Sequence, residues 1–268
     1  MIRLALRARS ERAEEALAAL LELAPSGLEQ TDGDGWVEYA VYAPAAELAA
    51  LQDGEAELAG IAVRVRREEV PDDWAERWKR FHRPLLVAGA LYVRPPWEQP
   101  AVRPGLVEIV IDPGRAFGTG GHPTTRLCLE LMLELELRGS FLDLGCGSGL
   151  LAIAAAKLGH APVSALDADR AAIDATEANA RVNGVALDRL ERFDLRGAPP
   201  PQADVVAANL ARPLLLRVAE LMGEWRPRAL IASGLLDDEL AEVAAAFAPL
   251  ERRARRSEAG WSAVLLER

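Results

Sequence analysis

The chain has 268 residues, of which 50% are hydrophobic and 27% charged, enough apolar material for one large domain and one small one. Its net charge of −10 excludes a non-specific nucleic-acid binder, because phosphate backbones reward clustered cations, and it favours encounter with a basic partner. Two isolated cysteines, Cys128 and Cys146, exclude a disulfide scaffold. Arginines break the N-terminal apolar stretch too early for a signal peptide, and no apolar run reaches the ~18 residues that span a bilayer. A cytoplasmic protein, a monomer with no membrane partner and no metal, is expected.

Residues 1–70 read as a small α/β unit. IRLALRA is a strand, and Ser10 can cap a helix carrying Leu17, Leu20 and Leu21. The DGDG turn before WVEYAVYA signals a hairpin, a short helix is expected near 44–51, and IAVRVRREEV is another strand. The order β-α-β-β-α-β suggests a ferredoxin-like α+β domain, a fold that hosts many functions. Residues 71–83 read as a linker helix, with Pro71 and the acidic pair Asp72 and Asp73 suited to its first turn. Its stripe of Trp74, Trp78 and Phe81 reads as packing rather than a ligand surface. Two strand-like runs follow, LLVAGALYVRPP and LVEIVID.

From residue 140 apolar strands alternate with helices. FLDLGC, PVSALD, LERFD, ADVVAANL and RALIASG are strands; helices are expected at 150–158, 171–182, 214–222 and near 238–247. Gly159 and the Asn183–Gly184 pair end two of the helices. The chain closes on a hairpin around Glu258–Gly260, which would add an antiparallel strand. This pattern predicts a doubly wound, mostly parallel sheet.

Four features carry chemistry. The first is Asp143-Leu-Gly-Cys-Gly-Ser-Gly149, between a strand and a helix, where glycines let backbone approach a ligand closely. It is not a dinucleotide turn, because Leu150 stands where a third glycine belongs, and it lacks the Lys of a P-loop. The remaining pattern resembles motif I of the S-adenosylmethionine-dependent methyltransferases. The second is Asp167, at the end of the second strand, placed to accept hydrogen bonds from ribose hydroxyls. It supports an adenosine ligand without naming it, and helix capping is the alternative role, which Asp169 can fill equally well.

The third feature is Asn209, at the end of the fourth strand, whose amide oxygen can orient an incoming amine. It is followed by Leu210 and Ala211, not by the Pro-Pro-aromatic platform on which a flipped base would stack, which argues against a nucleobase substrate. The fourth is the loop Asp112-Pro-Gly-Arg-Ala-Phe-Gly-Thr-Gly-Gly-His-Pro-Thr-Thr125. Thr124 and Thr125 fall in a first helical turn, whose free N–H groups favour an anion. Phe117 is placed against the adenosine or in the methyl channel. His122 reads as a brace or cap in preference to a catalytic group.

Taken together, DPGRAFGTGGHPTT, FLDLGCGSGLLAIAAAKLG, ADVVAANL and the stretch from DDWAERWKRFHR to RPPW resemble the bacterial ribosomal protein methyltransferase A family, which methylates large-subunit ribosomal protein eleven. The likeness covers nearly all of residues 72–268, and the AFGTGxHPTT run is more specific than motif I. It implies a seven-stranded Rossmann-like methyltransferase domain at 84–268, a substrate-recognition domain at 1–70 and a linker helix at 71–83. By position it implies that Thr125, Gly145, Asp167 and Asn209 bind S-adenosyl-L-methionine; Phe117, Asp143, Gly147 and Gly149 complete the expected cofactor set, with Asn209 the expected catalytic residue. The implied reaction is methylation of lysine side chains, and of the N-terminal amine, in a basic ribosomal protein. A lysine methyltransferase with another protein substrate, a non-enzymatic binding module on the same fold and a small-molecule methyltransferase are the competing readings.

Overall fold

A computed structural model of the protein describes residues 2–9, 12, 28–33, 35–43, 53–58, 60–69, 82–101, 103–113 and 118–268. The chain divides into two compact units, residues 1–81 with 114–116, and residues 82–113 with 117–268. Among the described residues, no helix is long and apolar enough to cross a membrane.

The first unit holds a five-stranded sheet of β1 (Ile2–Arg9), β2 (Leu28–Gly33), β3 (Trp36–Ala43), β4 (Gly54–Leu58) and β5 (Ile61–Glu69), in the order β2-β3-β1-β5-β4. Every pairing is antiparallel. Alternation dictates its buried face: Ile61, Val63 and Val65 point inward beside Leu4, Leu6, Val37, Tyr39 and Val41, while Ala62, Arg64 and Arg66 are exposed. The β2–β3 hairpin turns at the expected DGDG sequence, with Gly35 at φ +74°. Strand β4 is an addition to the expected elements; it sits at the sheet edge, where Ala56 and Leu58 pack against the core and Glu55 and Glu57 are exposed. The helices expected after Ser10 and at 44–51 lie outside the described residues, as does 71–81 with its aromatic stripe. His82 and Arg83 are described and are not helical; Pro84 disfavours helical backbone in the residue before it.

The second unit is built on a seven-stranded sheet, order β11-β10-β9-β12-β13-β15-β14. Strands β9 (Phe141–Leu144), β10 (Val163–Asp167), β11 (Arg189–Arg192), β12 (Val205–Asn209) and β13 (Ala229–Leu236) run parallel. The C-terminal hairpin of β14 (Glu251–Glu258) and β15 (Trp261–Glu267) inserts β15 antiparallel beside β13, as its sequence predicted. Strand β14 is therefore an outer edge, with Arg252, Arg253, Arg255 and Arg256 exposed and a register shift between Arg252 and Ala254.

The near-continuous apolar strands follow from burial on both faces. Leu142, Leu144, Val206 and Ala208 face a core closed by α4 (Arg212–Met222) and α5 (Leu240–Ala246). Their neighbours Phe141, Val205 and Ala207 face the other core with α1 (Pro123–Glu134), α2 (Leu150–Lys157) and α3 (Arg170–Val182). A three-stranded sheet of β6 (Leu85–Val87), β7 (Leu91–Arg94) and β8 (Val107–Val110) adds Val87, Leu91 and Ile109 to that second core. The single run expected at LLVAGALYVR is thus a hairpin. Ala88 and Gly89 take φ +47° and +70°, and the Ala90 amide donates to the Val87 carbonyl at 2.9 Å. That turn needs two left-handed residues, and Ala88 gives no sequence signal of one.

Candidate functional site

The strand order reverses direction at β9, between β10 and β12, which opens a crevice outside the carboxyl ends of these strands. A cavity of about 260 Å³ lies there, lined among others by Thr125, Gly145, Gly147, Asp167, Asp194 and Asn209. The turn after β9 needs its glycines: Gly145, Gly147 and Gly149 take φ +73°, +53° and +80°. The amides of Gly145 and Cys146 both donate to the Leu166 carbonyl, at 2.8 and 3.0 Å, which fixes the turn against the end of β10.

Asp167 ends β10. One carboxylate oxygen accepts from the Gly147 amide and the other from the Asp169 amide, both at 3.0 Å. Each oxygen keeps a further lone pair for a donor in the cavity. Capping of α3 falls to Asp169, which accepts from the Ala171 amide at 2.9 Å. The alternative weighed for Asp167 is therefore filled by its neighbour.

Asn209 ends β12. Its Nδ2 donates to Thr125 Oγ1 at 3.2 Å, across from the first turn of α1. This holds the side-chain plane and leaves Oδ1 as the acceptor. The next residue is clamped between two glycines: a Cβ on Gly145 would lie 2.4 Å from Leu210 Cδ2, and one on Gly234 only 2.5 Å from the Leu210 carbonyl oxygen. The Leu210 amide donates to the Ser233 carbonyl at 3.0 Å.

His122 is the N-cap of α1. Its Nδ1 accepts from the Thr124 amide at 3.3 Å and lies 2.8 Å from Thr124 Oγ1, and its ring meets Trp261 edge-on at 5.0 Å. Burial lowers its pKa and nearby Arg126 lowers it further, so the ring stays neutral and able to accept. The structure gives it the bracing role that the sequence favoured.

Two expected residues stand behind the cavity wall. Asp143 is 1% exposed and accepts from the Ala152 amide at 3.0 Å, in the first turn of α2. Gly149 gives close passage to α3, since a Cβ there would come within 2.7 Å of Thr176 Cγ2. Phe117 lies outside the described residues. In the other direction, Phe193, Asp194 and Leu195, just past β11, line the cavity and were not singled out from sequence. An acidic residue beside an apolar one at a third strand's carboxyl end was the available signal.

Burial pushes the Asp143 carboxyl up to about 7; the Ala152 amide opposes this and the charge of Asp167 adds to it. The folded chain then holds a proton that the unfolded chain releases above about 3.8. The contribution of this group to stability is full below that value and is lost as pH rises to about 7. Urea titrations of the cofactor-free protein from pH 4 to 8 are expected to show this decline in the wild type and a flatter profile in Asp143→Asn. Identical slopes would mean that Asp143 ionises normally.

These residues fit S-adenosylmethionine. Asp167 suits a ribose diol, Phe193 and Leu195 offer apolar surface for a purine with Asp194 beside them, and the glycine turn admits the amino-acid end. A model of the family described as ribosomal protein L11 methyltransferase (PrmA) matches residues 4–268. The chain belongs to that family. By membership it is an S-adenosylmethionine-dependent protein methyltransferase.

A ribosomal protein L11 methyltransferase of Pseudomonas putida strain W619 is 42% identical over 196 residues, covering 71% of this chain and 67% of that protein. One from Caldanaerobacter subterraneus subsp. tengcongensis is 37% identical over 185 residues, covering 68% of this chain and 60% of its own length. The crystal structure of a ribosomal protein L11 methylase from Lactobacillus delbrueckii subsp. bulgaricus superposes with a TM-score of 0.63 at 28% identity, covering 70% of this chain and 99% of that one.

Proposed function

We propose that the chain transfers methyl groups to amines of ribosomal protein L11, at lysine side chains and the N-terminal amine, with the cavity at 145–210 holding the cofactor. The observation that carries this reading is Asn209, fixed by Thr125 at the cavity wall with Oδ1 as its acceptor. When bound, S-adenosylmethionine supplies a methyl group already activated on a sulfonium. The chain's own task is alignment. Asn209 Oδ1 accepts one N–H of a neutral amine, which turns the nitrogen lone pair toward the methyl carbon. Asp167 would accept from the ribose hydroxyls, and the turn at 145–149 would back the amino-acid end.

A lysine amine has an unperturbed pKa near ~10.4 and must arrive unprotonated. Entry beside Leu210 and Leu214 strips water from the ammonium and favours its neutral form. The proton leaves to solvent; no side chain of the cavity is assigned as its base. The domain expected at residues 1–70 recognises the substrate, and the net charge of −10 steers a basic ribosomal protein toward the enzyme. The protein works as a cytoplasmic monomer without direct contact to nucleic acid.

The test is incubation of the purified chain with labelled S-adenosylmethionine and ribosomal proteins that lack native methylation, followed by mass spectrometry. Label on L11 amines is expected. Label confined to a different protein would keep the chemistry and overturn the substrate; no label on any protein would overturn the reading.

A further inference from the structure

Helix α3 and its C-cap residue turn a polar row toward the loops of the site. Thr176, Asn179 and Asn183 recur at intervals of three and four, so they share one face. Thr176 and Asn179 are 0% and 2% exposed. Buried amides and hydroxyls are costly unless hydrogen-bonded, and these bond backbone groups of the 145–149 turn, of the end of β8 and of the residues after it. Thr176 Oγ1 donates to the Gly147 carbonyl at 3.0 Å. Asn183 accepts from the Val110 amide at 2.9 Å and donates to the Val110 carbonyl at 2.6 Å, closing the free edge of β8.

Asn179 lies between two segments. Its Oδ1 accepts from the Asp112 amide and its Nδ2 donates to the Ser148 carbonyl, both at 2.9 Å. Ser148 Oγ in turn donates to the Gly118 carbonyl at 2.8 Å. Asp112, where the glycine-rich loop begins, and Gly118 within it are thus both tied to Ser148: Asp112 through Asn179, and Gly118 through the serine hydroxyl. Gly118 and Gly147 both line the cavity.

We propose that Asn179 is a positioning residue for the cofactor, its amide setting the spacing between the glycine-rich segment and the 145–149 turn. It rests on the methyltransferase reading above. Asn is required because one group must donate and the other accept. An isosteric Asp keeps the acceptor for Asp112. When ionised, however, it sets a second oxygen against the Ser148 carbonyl; when protonated, its O–H restores the donor.

The experiment is calorimetric titration of S-adenosylhomocysteine into wild type and Asn179→Asp from pH 6 to 8.5, with thermal melts to establish that both are folded. At pH 8.5 the variant is expected to bind at least about tenfold more weakly, the scale of one buried unpaired polar group. Binding should recover toward wild type as pH falls. Asp112 and its neighbour His82, together with Asp143, Cys146 and Asp167, face the same region and are common to both proteins, so the difference between the two profiles isolates residue 179.

A folded variant with wild-type affinity at every pH, or with a loss that pH does not alter, would overturn the proposal. Should Asn179→Asp fail to fold, Asn179→Ser removes the same amide with a smaller side chain, and wild-type affinity in that variant would overturn it equally. A wild type that binds no S-adenosylhomocysteine would sink the methyltransferase reading itself, whereas a binding wild type matched by its variants sinks only the role of Asn179.

Discussion

Asn209→Ala is expected to lower kcat by about a hundredfold, the cost of losing alignment of a reacting group by roughly an ångström. The reasoning is geometric. Asn209 sits at the carboxyl end of β12, and the hydrogen bond from its Nδ2 to Thr125 Oγ1 fixes the side-chain plane. Alanine removes the Oδ1 acceptor proposed to hold the amine. It also leaves the buried Thr125 hydroxyl without this donor, so cofactor affinity should fall to a lesser degree. His122→Ala gives the contrast. It removes a helix cap worth about 1 kcal/mol and an edge-on contact with Trp261, so it should lower thermal stability while turnover stays within a few-fold of wild type. Single-turnover methylation rates for both variants decide the matter. An Asn209→Ala enzyme with wild-type turnover would remove that residue from the mechanism.

Gly234→Ala is expected to damage both stability and activity. Gly234 lies in β13 where its register with β15 shifts, at φ +85°. An L-residue there carries about 1–2 kcal/mol of left-handed strain. The added methyl would also meet backbone, 2.5 Å from the Leu210 carbonyl oxygen and 2.8 Å from its carbon. Backbone cannot swing aside as a side-chain end can, and Leu210 is tied by its amide to Ser233. Relief of the clash must push out the residue that follows Asn209. A destabilisation of about 3 kcal/mol is expected from strain and overpacking together, with a drop in kcat that follows displacement of the Asn209 amide. Gly159→Ala separates the two causes, because Gly159 has φ +92° but no atom within 4 Å of its would-be Cβ. It should lose only the backbone share of the stability and none of the turnover. Urea midpoints and kcat for the pair are the measurement; equal behaviour of the two variants would refute the steric account.

The doubly wound sheet was legible because its strands are buried on both faces. Runs such as Val205–Asn209 are continuous and apolar, and glycines such as Gly159 end the intervening helices. The turn after β9 was legible for a related reason, since alternate left-handed residues demand alternate glycines. Other features depend on contacts between distant segments, which a local pattern cannot carry. Asp143 reads as a ligand group by its place in the motif, yet its carboxylate serves the first turn of α2. Asp194 reads as the tail of a strand, and only the adjacency of β11 to β10 brings it to the cavity. Asn179 reads as an ordinary helix residue until helix, loop and turn are assembled around it. The β6–β7 turn was hidden because Ala88 occupies a conformation that Asn or Gly usually signals.

The hairpin that ends the chain leaves four arginines along the outermost strand of the large sheet. Unsatisfied amide and carbonyl groups on such a border invite another molecule to add its own strand. Here Arg255 and Arg256 pair with Asp237 and Glu134, exposed Arg252 and Arg253 keep positive charge along the border, and the kink at Arg252–Ala254 spoils the straight rail that sheet extension needs. The molecule can thus keep a bare border at high cellular concentration without polymerising through it.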